Sequence, residues 1–359
     1  MTARTTLVSC LLAAAAFATT AVHASPTSDR SLAIYFIDVE GGQSTLIVTP
    51  DRHSLLIDTG WAGDGSGFKP GDPHQARDAN RILTAAHDAG ITQIDALLIT
   101  HFHPDHDGGV KELSQLIPIR MFIDHGAPSE AAVNSSADTA AAFKAYVEVR
   151  GSAPHLEPSP GDRLPLEGAE AIVVSSAGAT LPRPLPQALG TNAGCRKQAT
   201  PPQDPYENPR STGVVIRFGK FRFLDLGDLS GQPLYALACP KDMVGPVGIY
   251  LVSHHGGGDQ GDLGVFAAFK PRVAVMNNGV KKGGARATFQ VLPQVPGLQD
   301  VFQLHASAEA AEDNFAVEFI ANLDESTAFW IKVVASRDGS FRVENARTGE
   351  WYDYPALSR

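Results

Sequence analysis

Hydrophobic positions along the chain come in short runs set apart by turn residues. Residues 32–38, 45–49 and 54–58 read as strands, with Gly41-Gly42 and Pro50-Asp51 at the two intervening turns. A glycine-rich loop follows over 60–71. Ala79, Ile82, Leu83 and Ala86 recur at helical spacing and predict a helix over 76–89. The nearly continuous apolar run at 94–100 predicts a strand buried on both faces. A helix over 107–116, a strand over 121–124 and a helix over 137–149 complete the first half. The second half repeats the grammar: strands at 169–175, 213–218, 221–226, 247–253 and 273–276, and a helix at 262–269. β-Structure at 315–322, 328–335 and 341–345 closes the chain.

This alternation in two similar halves predicts an α/β chain of two mixed sheets packed together with helices outside, although a doubly wound sheet would give a similar pattern. No fixed short repeat is visible, which argues against a solenoid or propeller. Residues 180–209 break the pattern, being rich in Pro, Gln and Asn. A segment of that length is expected to be a lid, a binding loop or a disordered insertion.

With 359 residues, 43% hydrophobic and only 19% charged, the chain can bury a large core. A net charge of −10 argues against general nucleic-acid binding. Arg4, the apolar run from Leu7 to Ala18 and the small residues around His23 form a secretory signal with cleavage after Ala24. That run is too short to span a bilayer, and no later run of about 20 apolar residues exists. The expected organisation is therefore a signal at 1–24 and one domain at 25–359 with an insertion at about 180–209, in a secreted or periplasmic protein. Cleavage leaves Cys195 and Cys239, a natural disulfide pair in an oxidising compartment.

The most informative stretch is Thr100-His101-Phe102-His103-Pro104-Asp105-His106-Asp107-Gly108-Gly109, directly after the buried strand. His101 and His103 share one side of an extended strand end, and a turn at Pro104 lets Asp105 and His106 face a neighbouring point. That arrangement suits two adjacent metal ions. A surface histidine cluster is the alternative, but four ligand-type residues in six positions are improbable when the chain has only 12 histidines.

The HxHxDH pattern after an apolar strand resembles the signature of the metallo-β-lactamase superfamily. Ile57-Asp58-Thr59-Gly60, Leu224-Asp225-Leu226-Gly227-Asp228 and Val252-Ser253-His254-His255-Gly256 are similar to further landmarks in order. The resemblance implies an αββα sandwich, with His101, His103, Asp105, His106, Asp228 and His255 as metal ligands and Asp228 bridging. Residues 36–43, with Asn208 and Ser211, resemble the soluble hydrolase part of DNA-internalisation competence proteins, and bacterial phosphorylcholine esterases are similar. A further family histidine is missing; Ser175 or Ser176 stands near its place, and His125 is the candidate substitute. His155 is incidental, and Asp38 and Asp58 are expected to orient the metal loop.

Imidazole and carboxylate suit one or two Zn²⁺ ions, with Mn²⁺ or Fe as alternatives. Such a site would act through a metal-bound hydroxide, with Asp105 and Asp228 as catalytic ligands and His254 as proton donor to the leaving group. A residual positive charge would favour a small anionic substrate, and the competence-protein resemblance favours a phosphoester or phosphodiester. A lactone or acyl ester is the second reading and a β-lactamase the third; a non-catalytic binding protein with a decayed metal site is the alternative of a different class. Lys281 or Lys282 reads either as a solvated turn or as an anion contact, and His305 as structural, near helix-capping residues. The oligomeric state is open.

Overall fold

The computed structural model describes residues 31–63, 72, 75–195, 205–259 and 262–357. The signal at 1–24, most of the glycine-rich loop and the middle of the 180–209 insertion lie outside the described residues.

In chain order the strands begin with β1 (Leu32–Phe36), β2 (Thr45–Val48), β3 (Ser54–Ile57), β4 (Ala96–Leu98), β5 (Phe122–Ile123) and β6 (His155–Leu156). Next come β7 (Arg163–Leu164), β8 (Glu170–Ser176), β9 (Ala179–Thr180), β10 (Gly190–Thr191), β11 (Gly213–Phe218), β12 (Phe221–Asp225) and β13 (Lys241–Asp242). The last are β14 (Ile249–Leu251), β15 (Val273–Met276), β16 (Asp300–His305), β17 (Ile320–Asn322), β18 (Ile331–Ala335), β19 (Phe341–Asn345) and β20 (Glu350–Tyr354). One nine-stranded sheet runs β20-β19-β18-β1-β2-β3-β4-β5-β6. The other runs β17-β16-β15-β14-β12-β11-β8-β7, with β9 on β8. Each changes from antiparallel to parallel pairing partway, at β3–β4 in the first and β12–β14 in the second.

The α-helices are α1 (Arg77–Asp88), α2 (Pro104–Asp107), α3 (Val110–Leu116), α4 (Glu130–Ser135), α5 (Ala137–Arg150), α6 (Gly231–Ala238), α7 (Leu263–Ala268) and α8 (Arg286–Val291). Side-chain alternation assigns the layers. Leu32, Ile34 and Phe36 of β1 face Ala171, Val173, Val214, Ile216 and Phe223 in one core between the sheets. Ala33 and Tyr35 face the other way, against Ala79, Ile82 and Ala86 of α1 and Leu113 of α3. On the second sheet Val215, Leu224 and Tyr250 meet Leu234 and Leu237 of α6 and Phe266 of α7. The order is helix, sheet, sheet, helix, the αββα arrangement.

Several elements differ from the sequence pattern. The helix expected at 107–116 is two helices with Gly108-Gly109 between them. The run at 301–304 is strand β16, so His305 ends a strand rather than lying beside a helix cap. Of 315–322 only Ile320–Asn322 is extended, preceded by a 3₁₀ turn at Val317–Phe319. Helices α4, α6 and α8 and strand β20 carried no sequence expectation; all are short, and α6 holds a Gly and a Pro in its first turn. The closing strands rejoin the first sheet, β18 pairing antiparallel with β1.

The described start of the insertion is tied to α6 and α7. Asn192 Nδ2 donates to Ala238 O (3.0 Å) and Gly264 O (2.8 Å). Cys195 and Cys239 form a disulfide across 44 residues of sequence. Closing a loop of that size is worth at most about 4 kcal/mol in the chain-entropy model. Replacing both cysteines with serine should lower the unfolding free energy by up to that amount in urea melts. Non-reducing peptide mapping that finds two free thiols in exported protein would count against the bond.

One polar link joins the halves inside the core. Gln43 Nε2 donates to Asp225 Oδ1 (3.0 Å), which also accepts from the Gly227 amide (3.0 Å), while Asp225 Oδ2 has no hydrogen-bond partner. Burial pushes the Asp225 carboxyl up from 3.8 to about 7, with Asp58 adding to the rise. A raised folded-state pKa contributes stability that is fully present below the unfolded value and lost as pH rises through the folded value. Between pH 5 and 8 the parent should therefore lose on the order of 2–3 kcal/mol relative to Asp225→Asn. Parallel urea melts at the two pH values measure this; a pH-independent difference would show that Asp225 is ionised throughout.

Candidate metal centre

The HxHxDH loop leaves the end of β4 and is fixed from its neighbours. Asp58, just past β3, accepts from the Thr100 amide and Oγ1 (both 2.7 Å) and contacts His106 Nδ1 (2.7 Å). Backbone bonds Thr59 N→His106 O (2.6 Å) and Gln43 N→Asp105 O (3.0 Å) hold the turn. Pro104 opens α2 at a position where no amide hydrogen is needed. Gly42 permits the approach: a Cβ there would stand 2.5 Å from Asp105 O.

Two donor groups result. Asp105, His106, Asp228 and His255 form one, and His101, His103 and Asp228 the other, each with its ligand atoms within 4.8 Å of one another. Asp228 belongs to both. His106 Nε2 lies 3.2 Å from both Asp105 Oδ2 and Asp228 Oδ2. His255 Nε2 lies 3.2 Å from Asp105 Oδ2 and 3.3 Å from Asp228 Oδ1. Yet His106 Nε2, His255 Nε2 and Asp228 Oδ1 are buried with no hydrogen-bond partner. Buried polar atoms are rarely left in that state, and a convergent imidazole–carboxylate set fits a divalent cation.

The electrostatics follow from this crowding. Burial works to raise Asp105 and Asp228, but Lys282 and His106 for the first, and His106 and His255 for the second, hold both well below the usual carboxylate range. Burial works to lower His106, but Asp228, Asp105 and Asp58 outweigh it and raise it well above the usual imidazole value. His101, buried beside His106 and His103, is held well below it.

The histidine pair after β14 is delivered by unusual backbone. His254 (φ 49°), His255 (φ 55°) and Gly256 (φ 74°) are consecutive left-handed residues. For non-glycine residues this costs on the order of 1–2 kcal/mol each. His254 N→Gly227 O (3.1 Å), Gly257 N→His254 O (2.7 Å) and Gly284 N→His255 O (2.8 Å) hold the turn. A Cβ on Gly256 would stand 2.2 Å from Met276 Sδ. The turn sends His255 inward and leaves His254 half-buried at the rim, with Nδ1 on Asp259 (2.8 Å) and Nε2 3.7 Å from Asp228 Oδ2.

His125 does not supply a substitute for the missing histidine: its Nε2 is 2.9 Å from Glu207 Oε2, which also accepts from the Phe102 amide (3.2 Å), while Glu207 Oε1 accepts from the Ser129 amide (2.8 Å). Ser175 and Ser176 are buried too, bonded to Ser211 O (2.9 Å) and Thr212 Oγ1 (3.3 Å). His155 pairs with Asp124 (2.7 Å), away from the centre. Asp38 does not touch the metal loop; it pairs with His305 (2.7 Å) and Arg81 (2.7 Å). Glu207, Asp259 and Asn277 were not singled out from the sequence. Glu207 and Asp259 lie in irregular segments with no motif around them, and Asn277 marks only the end of β15.

Residues 37–189 match the family model described as "Metallo-beta-lactamase superfamily". No curated protein matches the chain. Among solved structures it is similar to the metallo-beta-lactamase fold protein YhfI from Bacillus subtilis, at 11% identity and TM-score 0.45 over 76% of this chain and 96% of that one. It is similar to CmlA, a diiron beta-hydroxylase from Streptomyces venezuelae, at 14% identity and TM-score 0.43 over 77% and 53%. It is also similar to a HARLDQ-motif metallo-beta-lactamase from Cronobacter sakazakii, at 16% identity and TM-score 0.31 over 55% and 60%. This last match therefore spans about three fifths of that protein's length. The αββα layers and the two donor groups at the strand ends agree with the match of residues 37–189 to the metallo-beta-lactamase superfamily model.

Proposed function

We propose that the chain is an exported metal-dependent hydrolase that cleaves a small anionic phosphoester, in particular a phosphodiester. The observation that carries the metal is the set of buried, unpartnered ligand atoms on His106, His255 and Asp228. His101, His103 and Asp228 would hold one ion, and Asp105, His106, His255 and Asp228 a second. Zn²⁺ suits the donors best, with Mn²⁺ or Fe as alternatives. Bound ions would supply Lewis acidity and an acidified water next to the ester.

The chain's own residues do the rest. Asp58 fixes the tautomer and orientation of His106 by holding its Nδ1. Asp228 sets the spacing of the two donor groups. Asp259 holds His254 at Nδ1, so that Nε2 faces the cleft and can hand a proton to the leaving oxygen. The likeness of residues 36–43 to competence proteins and phosphorylcholine esterases supports the phosphoester. The N-terminal signal pattern and the disulfide support a secreted or periplasmic location.

Elemental analysis of purified protein should find up to two transition-metal ions per chain. Asp228→Ala should lower that number and remove most turnover, and Asp58→Asn should weaken metal affinity by about 10–100-fold. Active protein with no transition metal, or turnover indifferent to chelators, would overturn the reading. A small aryl phosphodiester should be hydrolysed faster than an aryl acetate or a lactone when each is assayed with Zn²⁺ and with Mn²⁺. Fast lactone turnover without diesterase activity would favour the acyl-ester reading, and metal binding without turnover of any ester the binding-protein reading.

A further inference from the structure

Outside the donor groups, a single side-chain ammonium reaches the centre among the described residues. Lys282 Nζ contacts Asp105 Oδ2 and donates to Gly41 O (3.0 Å). It lies 5.6 Å from the centroid of the Trp61 ring, within cation–π range. Its placement is built by the backbone. Gly279 N→Lys282 O (2.8 Å) closes its loop, and Gly284 N→His255 O (2.8 Å) ties that loop to a candidate ligand. Gly41, at φ 80°, allows the close approach, since a Cβ there would stand 2.9 Å from Lys282 Cβ. Even so, 37% of the lysine side chain is exposed, so it stays open to solvent beside the centre.

The other side of the centre differs in character. A cavity of about 320 Å³ is lined by His103, Ser135, Ser136, Thr139, Tyr206 and Asn208 and opens at the second donor group. Its walls hold hydroxyls and an amide, and no Lys, Arg, Asp or Glu. Asn208 Oδ1 is buried there with no hydrogen-bond partner, while its Nδ2 is 3.3 Å from His254 Nε2. The two sides meet at Asp228, which both donor groups share.

From this asymmetry we propose that Lys282 is a specificity residue, which pairs with the anionic group of the substrate on the Asp105 side while an uncharged, hydroxyl- or amide-bearing remainder occupies the His103-side cavity. The proposal rests on the hydrolase reading and gives it a substrate class: a small anionic ester with a neutral polar arm. An ion coordinated by Asp105 takes over part of that carboxylate's charge and leaves the ammonium available to a second anion. A cavity of this size admits a small arm.

Two measurements on the metal-loaded full chain test this. The first compares kcat/KM for an aryl phosphodiester with kcat/KM for a neutral aryl ester in the parent, Lys282→Met and Lys282→Arg. Lys282→Met should lower the diester-to-neutral ratio by about tenfold, and Lys282→Arg should restore part of it, because a charge-assisted contact is worth on that order. A merely structural role would move both substrates together and leave the ratio unchanged, which would overturn the proposal. The second titrates inorganic phosphate by calorimetry, with metal content measured in each variant. Lys282→Met should weaken phosphate binding about tenfold at equal metal occupancy; equal affinity, or no phosphate binding by the parent, overturns the proposal. If no ester is turned over but the phosphate difference is present, the hydrolase reading fails and the anion site stands.

Discussion

Asp228 is the point on which the site depends, because its two oxygens face imidazoles from two different groups and its buried Oδ1 has no hydrogen-bond partner. Its Oδ2 is 3.2 Å from His106 Nε2 and 3.9 Å from His101 Nε2, and its Oδ1 is 3.3 Å from His255 Nε2. A buried carboxylate in such a place is costly unless a cation compensates it. The surrounding contacts keep the arrangement from relaxing: Asp58 holds His106 from behind, and the left-handed turn at His254-His255 is bonded to Gly227 next to Asp228. The backbone pins the donors in an arrangement they would not choose by hydrogen bonding alone.

The fold explains why these residues can meet. Asp58, the His101–His106 loop, Asp228 and His255 all follow the ends of strands β3, β4, β12 and β14. In open α/β sheets the ends of parallel strands are where loops from separate crossovers converge. Here two sheets contribute, and the connections between them are polar and specific. Gln43 binds Asp225, Asn277 Nδ2 reaches Gly42 O at 3.4 Å, and Thr212 N bonds Thr100 O at 2.8 Å. These bonds register one sheet against the other, whereas the apolar core between them fixes only their separation. Strands β18–β20 extend the first sheet from the far end of the sequence, so the start of the domain is covered on its β1 edge.

Sequence patterning was sufficient where periodicity or a motif was strong. Strand β11, strand β15 and the α5 helix lie where the apolar pattern put them, within a residue at either end. The His101–His106 cluster stood out by its spacing after a strand, whereas Asp228 and His255 were reached through the family resemblance; the fold brings these residues together. The pattern failed where tertiary contacts decide. His125 follows a strand and faces inward, as a ligand would, but Glu207 from more than eighty residues away holds its Nε2. No local signal in the 180–209 insertion marks Glu207 as that partner. Asp38 read as structural support that orients the metal loop. Its partners, Arg81 on α1 and His305 at the end of β16, instead brace the backbone from which that turn departs.

Lys282 shows how a bland local pattern acquires chemistry through packing. In sequence it is one of two lysines in a glycine-rich turn, indistinguishable from a solvated loop. Two backbone events separate it from Lys281: the bond from Gly279 that closes the loop, and the bond from Gly284 to His255 that moors it beside the centre. The charge consequence is local. The chain as a whole is strongly acidic, with a formal net charge of −10, and would repel an anion at long range. Salt screens that repulsion beyond about 8–10 Å, whereas an ammonium touching a buried carboxylate acts at contact distance in a medium of lower dielectric. An acidic protein can thus present an anion site if its cation is held by backbone rather than left on a mobile surface loop. The Gly41–Gly279–Lys282 contact meets that condition.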